Sequence, residues 1–499
     1  MSKTKIVCTI GPSSQDEETL RKIMLAGMHV ARLNFSHGDH HEQGQKLEMI
    51  RKLARELQMP VAVLMDTRGP EIRLGQFADG RVLLQAGQRF VLTAETVSGT
   101  AERVSVSYTK LPQDVQPGQI ILIDDGLVAL RTEQVTDTEI VCKVLNDGQI
   151  SDRKGVNLPG AKLNMPFLSE KDRADIQYAA EQGFDFIAAS FVRTKEDILQ
   201  IREILNACSA KTQIIAKIEC LQALDNIEEI LAVSDGLMVA RGDLGVEIAL
   251  EDVPSVQKRL IAMAVQAGKH VITATQMLDS MMKNPRPTRA EVTDVANAIY
   301  DGITAIMLSG ETANGAYPAE AAATMARIAE RTEQELGWRT AAIGACNPRI
   351  DAATATAACN TRIDAATATG AHNMLIDAAT TEAICHATCT IAARLHAAAI
   401  ITVTMTGFTS AMVARHKPGC RIISCTTSRM VWRQMNLQWG VSPLLIAQEN
   451  TTEDLFREAV DAAVRAGFVK KGDTVILTAG LPLGEAGRTN MLRIVEIKD

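Results

Sequence analysis

Short apolar runs recur along the first two thirds of the chain, and between them apolar residues fall at helical spacing. The runs begin near Lys5, His29, Val61, Asp185, Thr212, Gly236, His270 and Ala305, which predicts eight strands. Six of the seven strand-to-strand steps lie between 24 and 35 residues, the length of an ordinary βα unit. Helix starts are marked as well. Ser14-x-x-Glu17 and Thr288-x-x-Glu291 read as capping boxes, and Ser169 and Thr194 precede acidic first turns. Eight such units in series predict an α/β fold, a (β/α)8 TIM barrel over residues 1–69 and 168–337.

The exceptional step, 124 residues from Val61 to Asp185, predicts an inserted domain over 70–167. Its runs, Arg81–Leu84, Gln88–Leu92 and Gln119–Ile123, are separated by Gly, Pro and Asp turns, so it reads as an all-β barrel-like module. It leaves the barrel just after strand three, where it can close over a site as a lid. A decorative domain far from the chemistry is the alternative. Beyond Gly337 the alternation restarts with a helix over Glu382–Leu395 and strands at Ala399–Thr404, Arg421–Ser424, Val441–Ile446 and Asp473–Leu477. That predicts a C-terminal open α/β domain over 376–499. Between them, 338–375 reads as a linker. Ile-Asp-Ala-Ala-Thr starts at Ile350, Ile363 and Ile376, a period of 13 residues, and the first two copies read as a tolerated tandem duplication.

Polar residues gather where the predicted strands end. Strand two runs into Arg32, Asn34, Ser36 and His37, strand three into Asp66 and Thr67, and strand four into Ser190. Strand five supplies Lys217 and Glu219, strand six Arg241, Gly242 and Asp243, strand seven Thr275, and strand eight Ser309 and Glu311. Chemistry at strand carboxyl ends is how barrel enzymes are built. Glu219 with Asp243 suggests Mg²⁺ completed by water and substrate oxygens. Asn34, Ser36, Asp66 and Thr67 form a second oxygen set suited to a larger, less charged ion. Arg32, Arg73 and Lys217 supply positive charge for phosphate, and the balance fits phosphoryl transfer. Each residue also has a plain structural reading. Asp243 can cap a helix, Thr275 can bond backbone, Asn34 and Ser36 form turns, and Arg32 can pair with an acid. Lys217 resists such a reading best, because a lysine inside a barrel strand is rarely structural.

Composition narrows the field. A net charge of −7 with a pI near 5.8 argues against a general nucleic-acid surface. No segment has the length of a membrane span, and the start of the chain lacks a long apolar leader. Ten cysteines without a Cys-x-x-Cys pair read as reduced core thiols of a cytoplasmic protein. Cys385, His386 and Cys389 lack a second ligand pair, so no metal is assigned there. There is no P-loop.

At its strand ends the chain resembles the pyruvate kinase family, in particular the bacterial, K⁺-dependent type. The motifs that carry the resemblance are K-I-V-C-T-I-G-P from Lys5, R-L-N-F-S-H-G from Arg32 and D-T-R-G-P-E-I-R from Asp66. M-V-A-R-G-D-L-G from Met238, T-A-T-Q-M-L-D-S-M from Thr273 and N-P-R-P-T-R-A-E-V-T-D-V-A-N-A from Asn284 extend it. The resemblance implies transfer of the phosphoryl group of phosphoenolpyruvate to ADP, giving pyruvate and ATP in the last step of glycolysis, by a homotetramer. It implies Mg²⁺ on Glu219 and Asp243, and K⁺ on Asn34, Ser36, Asp66 and Thr67. Glu71 is similar to the residue of K⁺-dependent members. Lys217, Thr275 and Arg32 are implied as catalytic, with Gly242, Asp243 and Thr275 on the substrate carboxylate. Asn34, His37, Arg73 and Lys154 are implied to face the nucleotide.

The C-terminal domain is similar to the family's effector-binding domain. Thr404, Thr406, Gly407 and Ser410 lie where a strand gives way to a helix, an anion site for a sugar-phosphate or nucleotide effector, or an ordinary strand–turn–helix. Two rivals remain. A Mg²⁺-dependent lyase or aldolase on pyruvate-like substrates would need neither the lid nor Arg73 and Lys154. A non-catalytic effector-binding relative is opposed by the filled catalytic positions.

Overall fold

A computed structural model describes the chain except for Met1, Lys162, 344–367, Asn450, 483–486 and Asp499. Eight parallel strands close into a barrel: Lys5–Thr9, Val30–Asn34, Ala62–Asp66, Phe186–Ala189, Gln213–Ile218, Gly236–Ala240, His270–Ala274 and Ala305–Leu308. Each pairs with its neighbours in chain order, and the eighth returns to the first with Lys5 opposite Ala305. The strands are apolar on both faces because both are buried. In strand three, Ala62 and Leu64 point into the barrel while Val63 and Met65 meet the surrounding helices.

The helix starts correct one expectation. Helix Glu17–Ala26 is capped by Asp16, whose carboxylate accepts the Thr19 N–H at 2.9 Å, and not by Ser14. The Ser14 hydroxyl closes a turn on Gly11 instead. A carboxylate directly before the first turn is the better cap, because it also meets the positive end of the helix dipole. The Thr288–Glu291 box forms as expected, and Ser169 pairs with Asp172 in the same way.

The insertion after strand three is all-β, a six-stranded and a two-stranded sheet, with its own core around Phe90, Ile121, Leu130 and Ile140. Its exit is tied to the barrel by Arg193, which donates to the carbonyls of Leu163 at 3.3 Å and Met165 at 3.0 Å.

The C-terminal sheet has five strands, in the order Val441–Leu445, Arg421–Thr426, Ala399–Val403, Thr474–Ala479 and Met491–Glu496. The first four are parallel and the last is an antiparallel edge strand. This domain also seals the floor of the barrel. Leu437 is fully buried among Val7, Met238 and Ile272 of the barrel interior. Asn436 donates to the His29 carbonyl at 2.9 Å and Gln434 to that of Asp185 at 3.2 Å, both at strand starts.

Of the tandem repeats, the first copy and most of the second lie outside the described residues, and the third runs within helix Ala368–Arg394. Among the described residues, no helix is long and apolar enough to cross a membrane, and the eight cysteines are all free thiols.

Candidate active site

The carboxyl ends of the barrel strands open into a cleft of 1620 Å³ whose wall includes Arg32, Asn34, Lys217, Glu219, Asp243 and Thr275. Lys217 lies at its base, 9% exposed. Its Nζ reaches Ser190 Oγ at 2.7 Å, Glu219 Oε1 at 2.9 Å and Asp66 Oδ1 at 3.2 Å. Burial alone would lower the lysine's pKa, but the Asp66 and Glu219 carboxylates outweigh it and hold the group raised. Lys217 is therefore a fixed ammonium ion. Asp66 is the matching hub: its other oxygen accepts Arg32 Nε at 2.7 Å, and Arg32 also donates to Thr9 Oγ1 at 2.9 Å. Burial would raise the Asp66 pKa, yet Arg32 and Lys217 hold it below the usual range.

Glu219 and Asp243 face one another across strands five and six. The Phe191 N–H fixes one Glu219 oxygen at 2.6 Å. Asp243, in the first turn of helix Arg241–Glu247, is pushed up to about 7 by burial and then by the Glu219 carboxylate. Two buried carboxylates that repel one another are relieved by a divalent cation, and hard oxygen donors suit Mg²⁺. Among the described residues, no group of three or more His, Cys, Asp or Glu is arranged to hold a metal, so water or substrate oxygens would complete the shell.

The second oxygen set is also brought together. Asn34 lies opposite Asp66 in the strand register, and its Oδ1 accepts the Ser36 N–H at 3.0 Å. The Thr67 carbonyl accepts Ser190 Oγ at 2.7 Å. Asp66 is already engaged by Arg32 and Lys217, so it offers this set charge more than a free oxygen. Oxygen donors carrying one shared carboxylate fit an ion of low charge.

Thr275 has a φ of 67°, strained for a β-branched residue and typical of functional sites. Arg241 holds it there, donating to the Thr275 carbonyl at 2.7 Å while pairing with Asp294 at 2.6 Å. Thr275 Oγ1 donates to the Ala274 carbonyl at 2.7 Å and accepts the Gly242 N–H at 2.9 Å. The sequence offered no role for Arg241 or for this clamp, because neither contact is local in the chain. Several plain structural readings hold beside the functional ones: Arg32 pairs with an acid, Asn34 with Ser36 forms a turn, and Thr275 bonds backbone.

His37 is exposed at the edge of the cleft. Arg73 and Lys154 are not part of its wall. They stand on the insertion, where Arg73 pairs with both Glu71 oxygens at 2.8 and 2.5 Å, and Lys154 with Asp124 at 2.9 Å. The next residue, Asp125, adds a small further upward push on the Asp243 carboxyl.

A second pocket, of 240 Å³, lies in the C-terminal domain between Thr404, Thr406, Thr409, Thr426 and Arg488. Gly407, with φ of 85°, starts helix Phe408–Arg415 beside it. Ser410 does not face the pocket. Its hydroxyl is buried against Thr402 at 2.9 Å and against Ser424, because position three of that helix turns toward the sheet.

Comparison with known proteins agrees along the chain. A family model described as pyruvate kinase, barrel domain, matches residues 1–322, and one described as pyruvate kinase, alpha/beta domain, matches 382–495. A pyruvate kinase of Geobacillus stearothermophilus is 49% identical over 500 residues, spanning 100% of this chain and 81% of that protein. One of Clostridium acetobutylicum is 44% identical, spanning 99% of each. The crystal structure of a pyruvate kinase from Cryptosporidium parvum matches with a TM-score of 0.86 at 37% identity, over 99% of this chain and 96% of that one.

Proposed function

The chain belongs to the pyruvate kinase family, and on that premise we propose how its own residues carry the reaction. The enzyme is a phosphotransferase that moves the phosphoryl group of phosphoenolpyruvate to ADP, giving pyruvate and ATP in glycolysis. The observation that carries the assignment of roles is the buried Lys217 ammonium, held by Ser190, Glu219 and Asp66 at the base of the cleft.

Lys217 and Arg32 neutralise charge on the phosphoryl group as it leaves the enolate oxygen, the term expected to dominate catalysis of this kind. Glu219 and Asp243 would hold Mg²⁺, which when bound draws charge from the phosphoryl oxygens. Asn34, Ser36, Asp66 and Thr67 would hold K⁺, and Glu71 marks the chain as K⁺-dependent, because a lysine there would supply the positive charge itself. Gly242, Asp243 and Thr275 receive the substrate carboxylate. The Thr275 hydroxyl, with its orientation set by Ala274 and Gly242, lies on the route by which a proton reaches the enolate carbon.

His37, Asn34, Arg73 and Lys154 serve the nucleotide, the last two when the insertion over 70–167 closes. Both cations are paired within the insertion itself, Arg73 with Glu71 and Lys154 with Asp124, so the nucleotide phosphates would compete with those carboxylates for them. The C-terminal domain, 376–499, takes a sugar-phosphate or nucleotide effector at Thr404, Thr406 and Gly407, with Ser410 acting from beneath. The exposed edge strand Met491–Glu496 suits pairing between subunits of a homotetramer, and the enzyme works in the cytoplasm.

³¹P NMR of phosphoenolpyruvate, ADP, Mg²⁺ and K⁺ with the protein tests this reading. Loss of the phosphoenolpyruvate signal matched by growth of ATP supports it. Release of inorganic phosphate, or no change, overturns it.

A further inference from the structure

Behind the turn that carries Asn34 and Ser36 lies a polar cluster with no part in the chemistry above. Asp175 is 2% exposed, on helix Glu170–Glu181, and its two oxygens meet Lys171 Nζ at 2.6 Å and His40 Nε2 at 2.7 Å. A carboxylate so buried requires such partners. Lys171 has a second contact: its Nζ donates to the Phe35 carbonyl at 2.9 Å. The His40 ring stacks on Tyr178, with centroids 4.3 Å apart, and the Tyr178 hydroxyl donates to the His40 carbonyl at 3.0 Å. The helix thus grips the turn at both of its ends.

The Phe35 carbonyl and the Ser36 N–H belong to one planar peptide unit, so they cannot be oriented separately. Lys171 takes the carbonyl, and Asn34 Oδ1 takes the N–H at 3.0 Å. The Phe35 N–H is fixed on the Asp66 carbonyl at 3.0 Å, which leaves rotation of the following peptide as the free motion. Lys171 stops that rotation. Without it the Ser36 N–H is released from Asn34, whose side-chain oxygen loses its fixed direction, and the backbone that carries Ser36 is free to turn.

We propose that Lys171, anchored by Asp175, is a positioning residue for the monovalent-cation pocket, setting the Asn34 and Ser36 oxygens through the Phe35–Ser36 peptide. The inference rests on the K⁺ reading of that pocket. A weakly charged ion gains little from any single oxygen, so its affinity depends on donors being oriented beforehand. Outer partners that orient ligands are worth about 10- to 100-fold in metal affinity. Lys171 is half-exposed, so its loss should act locally and leave the fold in place.

The test is K⁺ binding read by thermal shift, with choline chloride as the ionic-strength control, for wild type, Lys171→Met, Lys171→Arg and a control, Lys195→Met. Wild type should be stabilised by K⁺ specifically. Lys171→Met should need at least about tenfold more K⁺ for half the shift, with Lys171→Arg restoring most of it and Lys195→Met unchanged. In steady-state assays the half-activating K⁺ concentration should rise by the same factor, while turnover recovers at saturating K⁺. Equal K⁺ half-saturation in wild type and Lys171→Met overturns the inference and leaves the pocket standing. Absence of any K⁺-specific shift in wild type overturns the pocket and the inference together.

Discussion

The Ser190 hydroxyl touches Lys217, with Oγ and Nζ 2.7 Å apart, and the same oxygen reaches the Thr67 carbonyl, also at 2.7 Å. A hydroxyl has one proton, so if it donates to Thr67 it accepts from Lys217. Ser190 thereby joins Lys217, proposed to neutralise the transferring phosphoryl group, to the residues proposed for K⁺. Ser190→Ala should leave one lysine N–H unsatisfied and cut turnover by about tenfold, roughly 1.4 kcal/mol in the barrier. Steady-state kinetics with thermal unfolding checks this. Unchanged turnover would remove Ser190 from the account.

Thr275 is held in a strained backbone conformation by Arg241, with its hydroxyl on Ala274 and Gly242. Thr275→Ala should lower kcat more than it raises KM for phosphoenolpyruvate, because proton delivery is lost while the backbone contacts to the carboxylate remain. A solvent isotope effect on turnover that grows in the variant is the second readout. Wild-type kcat would exclude Thr275 from the proton route.

The barrel floor carries a pH dependence. Burial pushes His270 down to about 4 and lowers His29 well below its ordinary value. The fold therefore favours the neutral rings, and the unfolded chain takes up protons first. Stability from these groups is complete above about pH 6.5 and is lost as pH falls toward 4, by roughly 3 kcal/mol for His270. Urea unfolding across that window should show the fall, and His270→Gln should reduce it, with His29 supplying the remainder. A flat profile in wild type would contradict the assignment.

Leu437 fills the barrel interior from another domain. Leu437→Ala should destabilise the protein by about 2–5 kcal/mol, the cost of a buried leucine cavity. A loss below about 1 kcal/mol, by denaturant unfolding, would mean that the plug does not bear on the barrel.

Strand spacing made the barrel legible, because strands buried on both faces appear as unbroken apolar runs. The edge strand Met491–Glu496 was missed for the converse reason: Arg493, Ile494 and Glu496 are exposed and break the pattern. Lys217, Glu219 and Asp243 could be found because charge at the end of an apolar run is conspicuous. Ser190 stood in the sequence only as a strand end, and nothing in the local pattern singles out Lys171. Their importance comes from contacts such as Lys171 with Phe35, 136 positions apart, which no local spacing encodes. The Ser14 cap failed because Asp16, two residues on, offered the stronger acceptor. Ser410 is turned toward the sheet because helix phase, not proximity in sequence, decides which way a side chain points.

The most direct measurement is the initial rate of pyruvate formation from phosphoenolpyruvate and ADP, with Mg²⁺ and K⁺, for wild type and Lys217→Met. Wild type should turn over. Lys217→Met should lose at least about a thousandfold in kcat while keeping its fold by circular dichroism and its Mg²⁺ binding by calorimetry. No pyruvate from wild type, or a wild-type rate from Lys217→Met, would contradict the assignment of phosphoryl transfer to this rim.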